Sequence, residues 1–197
     1  MTQLLLDPSD PNQITDYTRD ERGLDLFLIF TIMVAGKPAM RTAELLTNML
    51  GHRPDDDIPR AYLKRLGERR RRALLEKHRV GQYTRIENAI SGSFHLSLDD
   101  VTVDQLQGVS GIGPKSARFF VLHSQPDAHC AVLDTHILRY LRDHGEETSK
   151  TTPQSMTTYS RLEARWLELI AEEYPNQTAA QADFRIWERY SGHGDKE

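Results

Sequence analysis

The sequence predicts an all-α protein, and three observations carry that reading. Helix caps and helix breakers recur along the 197 residues where helices should start and stop. No stretch of useful length alternates apolar and polar side chains as a half-buried strand would. The most apolar run, Leu24 to Ala35, carries Asp25 and is followed by Gly36 and Lys37. At roughly a dozen residues it suits a buried core helix and is too short to span a membrane.

Pro38 and Pro59 fit first-turn positions, where the missing N–H of proline costs nothing. Ser97, with Asp99 and Asp100, favours another helix start. Val101-Thr-Val103 is too short for a strand, and its acidic flanks suit a helix start. Between Leu106 and Ala117 one short helix turns into another: an apolar residue ahead of Gly111, a second glycine at Gly113, Pro114 at the next helix start and small residues after it. Asp134 reads as the N-cap of a helix over Thr135 to Arg142. Gly145 to Thr152 is the most polar stretch and the expected surface loop. Thr152-Pro153 forms a cap followed by proline, opening a helix from Pro153 to about Tyr174 with Trp166, Leu167, Leu169 and Ile170 as its core face.

The length accommodates one sizeable domain or two interlocked small ones. The start, Met1-Thr-Gln-Leu-Leu-Leu-Asp-Pro, lacks the basic residues and apolar stretch of a signal peptide, so a cytoplasmic location is expected, on the nucleoid in a bacterium or archaeon. One cysteine, Cys130, excludes an intrachain disulfide and an iron-sulfur cluster, which needs about four thiolates. His129, Cys130 and His136 do not form a chelating pattern. The net charge of −4 hides an uneven distribution. Arg60, Lys64, Arg65, Arg69, Arg70, Arg71, Arg72, Lys77, Arg79 and Arg85 face only Glu68 and Glu76 within that stretch. Arg69 to Arg72 reads either as a solvated helix face or as a flank for DNA.

Glycine at 111 and 113 lets the main chain approach a backbone phosphate, and the following helix points its free N–H groups the same way. Such a hairpin is a nucleic-acid clamp that reads no bases by itself.

These residues resemble the helix-hairpin-helix DNA glycosylases, which include endonuclease III and the 8-oxoguanine DNA glycosylases. Gly111-Ile-Gly-Pro-Lys115 is similar to the family hairpin with its catalytic lysine, and Val132-Leu-Asp-Thr-His136 to its catalytic-aspartate turn. Gly81-Gln-Tyr-Thr-Arg-Ile-Glu-Asn-Ala-Ile90 is similar to the family's glycine-aromatic helix start. Phe30 to Ala39 occupies the place of the first barrel helix and the loop that probes the duplex. The likeness spans roughly the middle two thirds of the chain, with its motifs in the family order. Without cluster cysteines, it points to the small 8-oxoguanine glycosylase/lyases. It implies two all-α lobes with the active site between them: residues 23–134 as a helical barrel ending in the hairpin, and residues 1–22 with 135–197 as the second lobe. It also implies a monomer, damaged double-stranded DNA as partner, and a monovalent cation on the main-chain carbonyls of Gln107, Val109 and Ile112.

Cleaving a base from deoxyribose develops positive charge on the sugar, which a nearby carboxylate stabilises. Asp134 is the candidate, and an N-cap role is compatible with it. An amine attacking the anomeric carbon must be neutral, and the positive end of a helix lowers a lysine's proton affinity. Lys115 stands there; on an isolated hairpin it would read instead as a phosphate-contacting cation. By resemblance, Lys37 fills the gap left by an extruded base or probes its partner, His136 contacts phosphate, and Asp183 and Trp187 form the base pocket, one by hydrogen bonding and the other by stacking. Lys37 also reads as a surface-loop lysine, and Trp187 as terminal-helix core. Gly192-His-Gly-Asp-Lys-Glu197 departs from the small enzymes by running past their terminal lysine. The expected activity is a DNA glycosylase with associated lyase that removes an oxidised purine, 8-oxoguanine. Its rivals are a non-catalytic DNA-binding module and a base-modifying transferase on the same scaffold.

Overall fold

Aspartates and prolines open most of the helices of the computed structural model, which describes residues 3–54 and 57–191. Regular structure among these residues is helical, as the sequence predicts. The chain divides into two compact units, Met1–Gln125 and Pro126–Glu197.

In the first unit, α1 (Pro11–Ile14) is one turn capped by Asp10. α2 (Glu21–Val34) starts at Asp20, whose carboxylate accepts the Gly23 N–H at 2.7 Å. Every residue from Leu24 to Met33 is buried, so this helix is the core axis that the apolar run foretells. Around it pack α3 (Ala39–Leu50), α4 (Pro59–Lys77), α5 (Tyr83–Gly92) and α7 (Pro114–Ser124). Two ion pairs tie α4 inward: Arg60 to the fully buried Asp25, and Arg71 to the buried Glu87 at 2.6 Å. α4 is broken at Gly67, whose backbone takes φ 71° and ψ 161°. A 3₁₀ turn (Ser93–His95) leads from α5 towards α6 (Val103–Gln107).

The second unit holds α8 (Thr135–Asp143), α9 (Met156–Glu173) and α10 (Ala179–Ser191). Its core gathers Leu133, Ile137, Leu138, Tyr140, Leu141, Tyr159, Leu162, Trp166, Leu169, Ile170 and Ile186, with Leu167 partly buried against it. The apolar face expected around Trp166 is thus the core face.

The structure differs from the sequence expectation at four points. The units divide at Gln125, and the N-terminal segment is bonded into the first: Leu5 N–H donates to Thr47 Oγ1 at 2.9 Å, and Asp16 N–H and Arg19 to the His123 carbonyl. Ser97, Asp99 and Asp100 do not start a helix. Thr102 does, because Gln105 completes a reciprocal capping box with it. Thr152 does not cap α9, since its hydroxyl is committed to the Leu133 carbonyl at 2.8 Å, and Ser155 takes that place. Pro38 stands one residue ahead of α3 as its N-cap, whereas Pro59 is a first-turn proline as expected.

Candidate functional site

In the first unit, the turn between α6 and α7 forms the hairpin foreseen in the sequence. Its backbone closes with Val109 N–H to the Leu106 carbonyl at 3.1 Å and Ile112 N–H to the Val109 carbonyl at 3.0 Å. The two glycines have different reasons to be there. Gly111 has φ 94°, and a Cβ on it would lie 2.4 Å from the Arg85 carbonyl oxygen, so the fold itself demands glycine. Gly113 has an ordinary extended backbone, and a Cβ there would meet nothing within 4 Å. Only Gly113 leaves space for an outside group.

Gly113 is also the N-cap of α7 and supplies no side-chain cap. Pro114 has no N–H, and Ala117 N–H is satisfied by the Gly113 carbonyl at 3.0 Å. Lys115, at the second helical position, is half-buried, and among the described residues no acceptor reaches its amine. A helix start without a cap, followed by a cation, is suited to an anion.

Among the described residues, no backbone N–H donates to the carbonyls of Gln107 or Ile112, and the Val109 carbonyl accepts one. Neutral carbonyl oxygens as a class suit a monovalent cation better than a transition metal. No cluster of His, Cys, Asp and Glu suited to a metal occurs among the described residues.

The hairpin is held by α5. Arg85 donates to the Gly111 carbonyl at 2.9 Å, to the Ile32 carbonyl at 2.7 Å and to Gln82 Oε1 at 2.6 Å. Gln82, exposed and left-handed at φ 46°, precedes α5. Lys37 is half-buried, and its ammonium donates to the Val80 carbonyl at 2.7 Å. Burial first, and the Arg85 charge second, push the Lys37 amine below the usual lysine value. Sequence reasoning counted Arg85 only as one cation in a basic band and did not single out Gln82. The partners of Arg85 are backbone carbonyls of distant residues, which leave no trace in composition or spacing.

The basic band resolves into two kinds of cation. Arg60 and Arg71 are structural, and Arg65 pairs with Asp57. Arg72 bonds Glu76 at 2.6 Å and Thr84 at 3.2 Å and lies over the Tyr83 ring. Lys64, Arg69 and Arg70 are exposed, with no acid bonded to them among the described residues. An open cavity of about 760 Å³ beside the hairpin is lined by polar residues such as Asn88, Ser91, His95 and Gln105 together with Leu96 and Val109; Lys115 does not line it.

In the second unit, Asp134 is the N-cap of α8. Its Oδ1 accepts the N–H groups of His136 at 2.8 Å and Ile137 at 2.9 Å. Its second oxygen accepts no hydrogen bond from the described residues. One atom therefore does the capping, and the other remains available. His136 meets Trp187 edge-on, ring centroids 6.2 Å apart, and Trp187 in turn tilts against Phe184. Trp187 is half-buried and Asp183 is buried, both on α10. Residues 192–197, where the sequence departs from the small glycosylases, lie outside the described residues, as do Met1 and Thr2 at the other end.

No family model matches the chain. Two solved structures are similar to it. The 8-oxoguanine glycosylase/lyase of Methanocaldococcus jannaschii, in complex with a 15mer DNA containing 8-oxoguanine, is 19% identical with a TM-score of 0.70, over 93% of this chain and 88% of that one. The 8-oxoguanine DNA glycosylase of Thermotoga maritima is 19% identical with a TM-score of 0.67, over 87% of this chain and 81% of that one. The chain therefore shares the all-helical fold of these two proteins along most of its length.

Proposed function

We propose that this protein is a DNA repair glycosylase with an associated lyase, acting on an oxidised purine of the 8-oxoguanine type in duplex DNA. The observation that carries the reading is Lys115: an amine without an acceptor among the described residues, at an uncapped helix start beside the open Gly113. The free carboxylate oxygen of Asp134 and the fold shared with two 8-oxoguanine glycosylases support it.

In this reading the duplex phosphate meets the N–H groups of Gly113, Lys115 and Ser116, and the damaged nucleotide leaves the stack, because its sugar bond is unreachable within it. The Lys115 amine attacks C1′. The glycosidic C–N bond breaks, and the purine leaves with a proton. The sugar ring opens to an imine on Lys115. Loss of a C2′ proton then expels the 3′ phosphate. Asp134 stabilises the positive charge that develops on the sugar through its free oxygen. Asp183 and Trp187 bind the extruded base, Lys37 faces the gap or the opposite base, and His136, Arg69 and Arg72 contact phosphate. A monovalent cation on the carbonyls of Gln107, Val109 and Ile112 would add positive charge at the hairpin.

The test is a set of duplexes bearing different damaged bases, read separately for base release and strand scission, with borohydride present to trap the imine. Release of 8-oxoguanine and a protein–DNA adduct lost in Lys115→Gln are the expected results. Binding without base release would leave only a DNA clamp. A base altered in mass and still attached would make the protein a transferase. Scission that cannot be trapped would remove the lysine imine.

A further inference from the structure

Resting on the reading of the hairpin as a duplex clamp, we infer that Arg85 is a positioning residue that locks the hairpin to the loops at Ala35–Lys37 and Val80–Gln82. It acts through them and does not touch DNA itself.

Arg85 grips Gly111 from both ends of the residue. Its guanidinium donates to the Gly111 carbonyl at 2.9 Å, and its own carbonyl oxygen occupies the space where a Cβ on Gly111 would stand, 2.4 Å away. A second guanidinium nitrogen holds the Ile32 carbonyl at 2.7 Å, at the last turn of α2. Nε holds Gln82 Oε1 at 2.6 Å, and the same Gln82 amide reaches back to the Ala35 carbonyl at 3.4 Å. Lys37 Nζ closes the circuit on the Val80 carbonyl at 2.7 Å. Three segments far apart in sequence are thereby fixed by one planar fork, a geometry that lysine cannot reproduce.

Two features set this apart from an ordinary surface arginine. No carboxylate pairs with Arg85 among the described residues, so its charge is spent on carbonyl dipoles. Burial pushes the guanidinium below the usual arginine value, which is the mark of a cation withdrawn from water. The donors offered to a ligand would instead be the uncharged N–H groups at the start of α7, whose approach to a phosphate depends on where Arg85 holds the hairpin.

The experiment uses the full chain and a short undamaged duplex. Dissociation constants are measured against salt concentration for wild type, Arg85→Lys, Arg85→Met, Gly113→Val and the Arg85→Lys/Gly113→Val double variant. Gly113→Val crowds the open space at the helix start without straining the backbone. Each Arg85 variant is expected to bind about tenfold more weakly. The slope of log affinity on log salt should stay unchanged, because no charged phosphate contact is lost. In the double variant, Arg85→Lys should add little to Gly113→Val, because both act on the same hairpin contact.

A slope shallower by about 0.9 would make Arg85 a direct phosphate ligand and overturn the inference. Fully additive losses, or unchanged affinity, would overturn it as well. Thermal melting accompanies each variant. If Arg85→Met melts below the assay temperature, Arg85→Lys and faster amide exchange at Ile112 carry the same test. A chain that binds duplex in this manner but releases no base would sink the enzymatic proposal alone.

Discussion

Asp25 and Arg60 are joined twice: the Asp25 carboxylate accepts the backbone N–H of Arg60 at 2.7 Å and also its guanidinium. The same guanidinium donates to the carbonyls of Ser93 at 2.6 Å and Leu96 at 3.1 Å, so one arginine ties α2, α4 and the 3₁₀ turn together. Removing one partner of such a buried pair strands the other charge. Asp25→Ala is expected to cost about 3–5 kcal/mol in denaturant unfolding. Replacing both residues with leucine should recover much of that loss, because the stranded charge disappears with its partner. A double variant as unstable as Asp25→Ala would contradict this account.

The two hairpin glycines should respond in opposite ways to alanine. Gly111→Ala pushes a Cβ against the Arg85 carbonyl and places alanine at φ 94°, so a loss of about 2 kcal/mol or more is expected in thermal or denaturant melts. Gly113→Ala should leave stability within about 0.5 kcal/mol of wild type. Under the proposed function its effect belongs in duplex affinity, because a methyl group there would stand between a phosphate and the N–H groups of α7. Equal stability losses at both positions would refute the distinction.

Asp134 has one oxygen committed to capping and one that accepts no hydrogen bond from the described residues, and under the proposed function substitution separates the cap from the chemistry. Asparagine keeps an oxygen for the His136 and Ile137 N–H groups, so Asp134→Asn should melt close to wild type. Base release should nonetheless fall by about a hundredfold or more, because the neutral amide cannot stabilise a sugar cation. Asp134→Ala should lose the cap as well, about 1 kcal/mol in the melt. Full activity in Asp134→Asn would remove this residue from the mechanism.

Lys37 supplies a pH dependence. Its folded value is lowered by burial and then by Arg85, so between that value and the ordinary 10.5 the unfolded chain binds more protons than the folded one. Stability therefore rises with pH through that window, and below it the cost of burying the charged amine is fully present. Tyr140 and Tyr190, whose raised values work against stability above their ordinary 10.0, act equally in both proteins when wild type is compared with Lys37→Met. Subtracting the two stability curves should leave a difference that grows in favour of wild type as pH increases towards 10.5. A flat difference would show that Lys37 is fully charged without penalty in the fold.

Local chemistry made much of this protein legible from its residues. The apolar run at Leu24, the N-cap at Asp134 and the glycine–proline turn at Gly111 to Pro114 all depend on neighbours a few positions away, and each stands where the sequence put it. The competition between nearby caps was less legible: Thr102 prevailed over Ser97 through Gln105, and Ser155 over Thr152 because Leu133 claims the Thr152 hydroxyl. What only the tertiary structure decided is which of several equivalent-looking residues turned inward. Arg71 is buried on Glu87 while Arg69 and Arg70 beside it are exposed, and Gly111 is required by α5 while Gly113 is free. Arg85, a member of a charged run in the sequence, bridges the end of α2 at Ile32, the turn at Gln82 and the hairpin at Gly111. The reason is physical: caps and turns are satisfied within one helical turn of chain, whereas burial, ion pairing and the demand for glycine are set by partners brought together only when the helices pack.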